Sequence, residues 1–421
     1  MDPVLTETMA VPPPEPERPP ADGPGDWIRR NLARSPVDAV VSLLAAVVVG
    51  YVVYRLARYV FVTGRWQIVR DNLKLFMVGR YPLDDLWRIS VVLVAIGLYG
   101  GLVAGYVAAR RRRLGLDVDA PRQPWWRRVL AALARQWPLV GGTLLLLLLT
   151  TSAGPWITVG ATVVAAVVGR LVGSRLPKGA GWALVLVGLV GFVGAVVFLL
   201  RALGWDKWGG LMLNLFLAFT AIVLCFPLGV ALALGRRSKL PIIRSLSIGY
   251  IELFRGVPLF VLLLLSSIAL GYFWPVGAST PGLVVRAIVA MALFTAAYVA
   301  EIVRGGLQSL PRGQTEAATA LGFGPVRTTL LIVLPQALRN VIPALVGQFI
   351  SLFKDTTLAG AAMAFLDLYG VREAVTSQTA FQGQNLTPEV LTFVMLVFWI
   401  GCITMSRESQ RLEKKLGVGT R

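Results

Sequence analysis

Histidine is missing from all 421 residues, and cysteine occurs only as Cys225 and Cys402. The first absence removes imidazole from any metal site and from any acid–base chemistry. The second leaves no CxxC or other paired spacing, and both thiols sit inside apolar runs, where cysteine acts as a small buried hydrophobe. Acidic residues are scarce: 22 Asp and Glu stand against 41 Lys and Arg, a formal net charge of +19. They are scattered over separate apolar runs, so no paired carboxylates suggest a catalytic centre. No GxxxxGK[ST] stretch occurs, and no ATP hydrolysis of that kind is expected of this chain.

Apolar sequence is what abounds. Hydrophobic residues make up 56% of the chain, charged ones 15%, and the mean hydropathy is +0.70, far from a soluble domain's balance. Apolar runs lie at about 37–62, 87–109, 137–153, 155–170, 182–201, 211–234, 248–274, 282–303, 340–365 and 389–406. Most reach the roughly 20 residues that cross about 30 Å of hydrocarbon. An all-α integral membrane protein of about ten helices is expected. Arg and Lys gather at the ends of these runs, which suits the positive-inside rule and anionic headgroups. No folded basic domain is left over for nucleic acid.

The pair 137–153 and 155–170 reads two ways, because Gly154-Pro155 is either a turn between two spans or a kink in one helix. Charge favours two crossings: Arg110–Arg113, Arg127, Arg128 and Arg135 precede the pair, while Arg170, Arg175 and Lys178 follow it. Both termini are then cytoplasmic. Residues 63–86 run against the rule, being external yet carrying Arg65, Arg70, Lys74 and Arg80.

Four regions result. Residues 1–36 form a proline-rich polar tail expected to be disordered and cytoplasmic. Residues 37–204 form an N-terminal transmembrane extension of about five helices, 205–407 a second transmembrane domain, and 408–421 a basic cytoplasmic tail. The linker WDKWGGL (205–211) divides halves of different character. Beyond it, Asn214, Pro227, Glu252, Arg255, Pro258, Glu301, Lys354 and Asp355 punctuate the runs. Charges near hydrocarbon are costly and mark function or a paired contact.

Between two of these runs lies EAATALGFGPVRTTLLIVLP, residues 316–335. Ser309 and Pro311 read as a helix start, Gly322 as a left-handed helix end, Pro325 as a second start and Pro335 as a break or kink. A helix–turn–helix knob is expected, its apolar face needing either a partner or its own membrane domain.

The spacing Glu316-Ala317-Ala318, three residues, Gly322, nine residues, Ile332-x-Leu334-Pro335 resembles the EAA loop of ATP-binding-cassette (ABC) importer permeases. AYVAEIVRGGLQSLPRGQTEAATALG, LPQALRNVIPALVGQFISLFKDTTL and YIELFRGVPLFVLL resemble the polar amino acid branch, which carries histidine, glutamate, glutamine, arginine and opines. The long first half and the tail MSRESQRLEKKLGVGTR resemble its larger general L-amino acid permease subunit.

The resemblance implies a permease core of about five helices in the second half, with loop 304–339 coupling it to a separate ATPase. The partners it implies are a pair of nucleotide-binding subunits, a second and paralogous permease chain, an external solute-binding protein, the lipid of a bacterial inner membrane and an amino acid. No cofactor is expected on this chain, ATP and Mg being used by the partner subunit. Lys354, Asp355, Thr356, Glu252 and Arg255 stand as candidates for the substrate path. Structural pairing is the other reading, since Glu252 and Arg255, like Glu301 and Arg304, are spaced to pair along one helix. A self-sufficient transporter driven by an ion gradient is the alternative function; it would show related halves and broken helices at matching positions.

Overall fold

The computed structural model describes residues 34–417 apart from 116–126, 128–130, 132, 151, 202, 203 and 276–278, with a few isolated positions before 34. The proline-rich start, 1–22, lies outside the described residues. The chain divides into two compact units, Met1–Arg65 and Trp66–Arg421.

The first unit holds one long helix, α1 (Pro36–Arg58), continued by a π turn over Tyr59–Thr63. Ser35 starts it: its Oγ accepts from Asp38 N at 3.1 Å, and Pro36 occupies the first turn. No residue of α1 is buried.

In the second unit, two short helices, α2 (Gln67–Asp71) and α3 (Leu73–Val78), lead into α4 (Leu86–Arg113). Helices α5 (Trp137–Leu149), α6 (Gly154–Arg175) and α7 (Gly181–Leu200) complete the first half. The second half comprises α8 (Gly210–Arg236), α9 (Pro241–Gly256), α10 (Leu259–Ile268), α11 (Leu270–Phe273) and α12 (Leu283–Gln308). Then come α13 (Gly313–Ala320), α14 (Pro325–Thr328), α15 (Leu334–Met363), α16 (Val371–Thr376) and α17 (Thr387–Leu416). Each of the ten apolar runs thus folds as helix. Among the described residues eight helices are long and apolar enough to cross a membrane, nine with the bent pair α9–α10; α5 is a shorter apolar helix. The basic tail begins as helix, because α17 continues to Leu416.

Contacts at helix ends fix the path of the chain. The last turns of α8 and α12 meet, Arg236 Nη1 lying 2.6 Å from Glu301 Oε1. These helices therefore run the same way, and the chain must return between them. Helix α10 makes that return, since Arg286 near the start of α12 donates to Ser267 O at the end of α10, 2.8 Å away. The run 248–274 is then not one straight span. It bends by 98° at Val257-Pro258, and α10 after the bend carries the chain back toward the start of α12. Val257 is extended (φ −102°, ψ 135°), as a residue before proline must be.

The same reasoning settles 137–170. A Cβ on Gly101 would stand 2.1 Å from Ala166 O, and one on Gly105 2.2 Å from Arg170 O, so α4 and α6 lie backbone to backbone and run the same way. Helix α5 brings the chain back between them. It packs on α17 while α6 packs on α4, so these are two elements rather than one kinked helix.

Between helices in lipid there is no water to expel, and close packing of small side chains replaces the hydrophobic effect. Helix α12 shows this in the second half. Ala287, Ala290, Ala296, Ala297 and Ala300 are buried along it, and it contacts α8, α9, α10 and α15. One end of the unit, where α4, α6, α8 and α12 finish, is rich in arginine. The opposite end is capped by α2, α3 and α16, where Ile68, Phe76, Val371 and Phe393 share a buried cluster. This cap accounts for 66–81, the segment whose charge runs against the positive-inside rule.

Candidate functional site

The loop after α12 folds as two helices with a turn, though not from the expected start. Helix α12 runs through Gln308; Ser309 closes it and donates its hydroxyl to Gly306 O at 3.0 Å instead of opening the next helix. Helix α13 begins at Gly313, and Glu316 sits in its first turn, where a carboxylate suits the positive end of the helix dipole. Its exit follows the local rule. Gly322 has φ +79°, Gly322 N donates to Thr319 O at 2.9 Å, and Phe323 N donates to Ala318 O at 3.0 Å. This pair of bonds is a Schellman motif, and the buried Ala318 lies at the position that usually meets the residue after the glycine.

Pro325 opens α14, which widens into a π turn over Thr329–Val333 and passes directly into α15. The break expected at Pro335 is absent. The wider turn absorbs the missing N–H and the ring, and Pro335 sits in the first turn of α15. Ile332 and Leu334 are half-buried, while Glu316, Ala317 and Pro335 are exposed. Gln336 ties the root of the loop together through Gln314 Oε1 at 3.2 Å. The knob's outer side is apolar: Leu321 is 77% exposed, Val326 68% and Leu331 65%. A Cβ on Gly322 would meet nothing within 4 Å, so that side is open.

The loop hangs from a charged hub. Glu301 on α12 accepts from Arg304 Nη2 at 2.8 Å and from Arg236 Nη1 of α8 at 2.6 Å, and Arg255 Nη1 of α9 lies 3.8 Å away. Glu252 pairs with Arg236 at 3.4 Å. The expected Glu301–Arg304 pair is present. Glu252 and Arg255 do not pair with each other, because each finds a partner on another helix. Three helix ends converge on one carboxylate.

A second polar cluster lies at the opposite end. Asn214, Thr356 and Asp367 are all fully buried. Asn214 Nδ2 donates to Thr356 Oγ1 at 2.9 Å and to Asp367 Oδ2 at 3.1 Å, and Asn214 Oδ1 accepts from Leu368 N at 2.8 Å. Gly370 N caps the other Asp367 oxygen at 2.7 Å. Burial raises the Asp367 carboxyl above the usual range, and the bonds from Gly370 and Asn214 oppose that rise. Thr356 is therefore part of a knot joining α8, α15 and the following loop, not a group lining an open path. Lys354 is exposed and Asp355 half-buried on α15, and among the described residues no ion pair joins them.

Beside the knot is a cavity of about 710 Å³ whose lining includes Arg80, Trp205, Trp208, Tyr369, Arg372 and Glu373. The Arg372 guanidinium lies over the Tyr369 ring, 5.2 Å from its centre. Sequence reasoning missed Asp367, Arg372 and Glu373. Their one signal was charge in a short segment between two apolar runs.

Residues 225–417 match the family described as the binding-protein-dependent transport system inner membrane component. The chain is 34% identical to the glutamate/glutamine/aspartate/asparagine transport system permease protein BztC of Rhodobacter capsulatus, over 93% of both proteins. It belongs to the amino acid ABC transporter permeases. Another member, the inner membrane amino-acid ABC transporter permease protein YhdY of Escherichia coli, is 32% identical over 99% of each chain. The probable glutamine ABC transporter permease protein GlnP of Bacillus subtilis is 34% identical over 49% of this chain and 91% of its own length. These permeases thus come in two sizes. The present subunit shares its first half with the long members and its second half with both.

Proposed function

We propose that this permease subunit carries polar amino acids inward and that loop 304–339 docks on a separate nucleotide-binding subunit, which hydrolyses ATP with Mg. The observation that carries the reading is the apolar knob of Leu321, Val326 and Leu331, held out on a rigid glycine turn above Glu301. An exposed apolar patch on an ordered loop needs a partner. The hub passes a push on the knob to α8, α9 and α12 together, which suits rigid-body rocking between two access states. The arginine-rich end of the second unit faces the cytoplasm under the positive-inside rule, and the charge flanking the apolar runs assigns both termini to the cytoplasm.

At the other end a solute-binding protein delivers the amino acid to the cavity beside Asp367, where Arg372 and Glu373 offer the opposite charges a zwitterion needs. A second, paralogous permease chain completes the path, and Lys354 and Asp355 face it. This chain itself holds no cofactor.

The test is Gly322→Asp in the assembled transporter. Its left-handed turn costs a non-glycine residue about 1 kcal/mol, and a carboxylate buried unpaired in the interface costs several more. Uptake should fall by more than tenfold with the subunit still in the membrane, and the ATPase subunit should be lost on purification. Gly322→Ala should be milder. Full uptake and full ATPase retention in Gly322→Asp would remove the docking role.

A further inference from the structure

At the arginine-rich end of the α4–α6 crossing is a cavity of about 430 Å³. Its floor is small, with Gly105 and Ala108 leaving a hollow, and Arg112, Arg113, Arg170 and Ser174 surround it. Arg113 spends one donor on Leu176 O at 2.9 Å. A guanidinium has five donors, so the three arginines keep most of theirs for something else. The lining supplies no carboxylate. From Leu86 to Gly204 the only acidic residues are Asp117 and Asp119, which lie outside the described residues.

Arginines around a concave, uncharged floor match a phosphate group, which they grip with paired N–H bonds. The walls select among phosphates. Leu171 in the lining is exposed, and Val107, Val168 and Val172 on the same two helices are exposed as well. A free phosphate ion has no use for that apolar wall, whereas an acyl chain lies along it. Basic pockets at the ends of membrane helices suit anionic headgroups.

We propose that this cavity binds the phosphate headgroup of an anionic phospholipid, which holds the ends of α4 and α6 together. The site belongs to the first half, away from the coupling loop, and does not depend on the import reading.

Native mass spectrometry of the whole transporter, titrated with phosphatidylglycerol or phosphatidylcholine, tests it. The wild type should retain phosphatidylglycerol in preference to phosphatidylcholine. Each basic side chain at a membrane surface contributes on the order of fivefold, so R112Q/R170Q should weaken retention by roughly 25-fold. K239Q/R244Q, which removes as much charge from the α8–α9 connection and the first turn of α9, outside this cavity's lining, should leave that tightly held lipid in place. Ala108→Leu fills the hollow without touching charge and should also release the lipid, which keeps the test open if the double variant assembles poorly. Unchanged retention in either cavity variant overturns the site. Displacement of the lipid by millimolar inorganic phosphate overturns the lipid assignment in favour of a small-anion site.

Discussion

Helices α4 and α6 meet along a run of glycines, whereas α8, α12 and α15 meet along alanines with single glycines at Gly229 and Gly306, and α8 is pinned by polar groups near both of its ends. The most apolar stretch of α12 is 61% buried and that of α8 28%, with α15 at 17%; those of α4 and α6 are 17% and 11% buried, so the first half has no helix enclosed as α12 is. The first half is therefore less enclosed, and it relies on that close backbone contact together with single hydrogen bonds such as Tyr99 to Leu184 O and Tyr106 to Lys178 O. The second half encloses a centre and carries the Asn214–Asp367 knot at one end and the Glu301 hub at the other. Glycine contacts are undirected and fail only when bulk is added. Buried polar networks are directional, and removing one partner strands the rest. A part that must move between two arrangements needs partners to exchange, and among the described residues the buried groups with several partners lie in the second half.

The largest effect should come from breaking the knot. Asn214→Leu leaves Leu368 N and one Asp367 oxygen without their buried partner, each costing about 1–3 kcal/mol. A loss of about 3–5 kcal/mol should appear as poor recovery of folded subunit and a large drop in its thermal midpoint. Normal recovery would mean that water replaces Asn214 at no cost, and the second half would not be held as described.

Gly101→Leu attacks the first half. Ala166 O leaves no room for even a Cβ there, so the backbones must part, at about 1–3 kcal/mol for overpacking. The thermal midpoint should fall while uptake per folded subunit stays close to wild type. If uptake falls as far as stability does, the first half takes part in transport and the contrast between the halves fails.

Glu301→Ala sharpens the same contrast from the arginine-rich end. Arg236, Arg255 and Arg304 would be left facing one another, but their side chains are 26%, 38% and 30% exposed, so water screens much of the repulsion. About 1–2 kcal/mol is expected. The more telling result is a several-fold loss of uptake with ATP hydrolysis retained, because on the proposed docking reading the knob keeps its partner while α8 and α9 no longer follow it. Uptake and hydrolysis falling in step would make the hub a stability device only.

Much of this was legible in the sequence. All ten apolar runs folded as helix, eight of them long enough to cross because hydrocarbon thickness sets that length, and Gly322 was readable because a left-handed helix end is a local rule. Local rules failed where distant partners compete. The spacing of Glu252 and Arg255 suits a pair, yet Arg236 and Glu301 on other helices claim them. Ser309 resembles a cap, but α12 was not yet finished. Asp367 was invisible for a related reason. It is a lone carboxylate in a short connection, and its partner Asn214 lies 153 residues earlier, with no periodicity linking them.

The smallest effect should follow from deleting residues 1–30. Helix α1 keeps what starts it, because Ser35, Pro36 and the bond from Asp38 N all lie beyond the cut, as does Leu32, whose carbonyl accepts from Ser42 Oγ at 2.7 Å. Loss of a cap costs about 1 kcal/mol, and this deletion spares the cap. Membrane insertion needs only the long apolar run of Pro36–Thr63, which is untouched. Uptake and membrane level should therefore stay within about twofold of wild type. Loss of uptake at a normal membrane level would place a function in the proline-rich start.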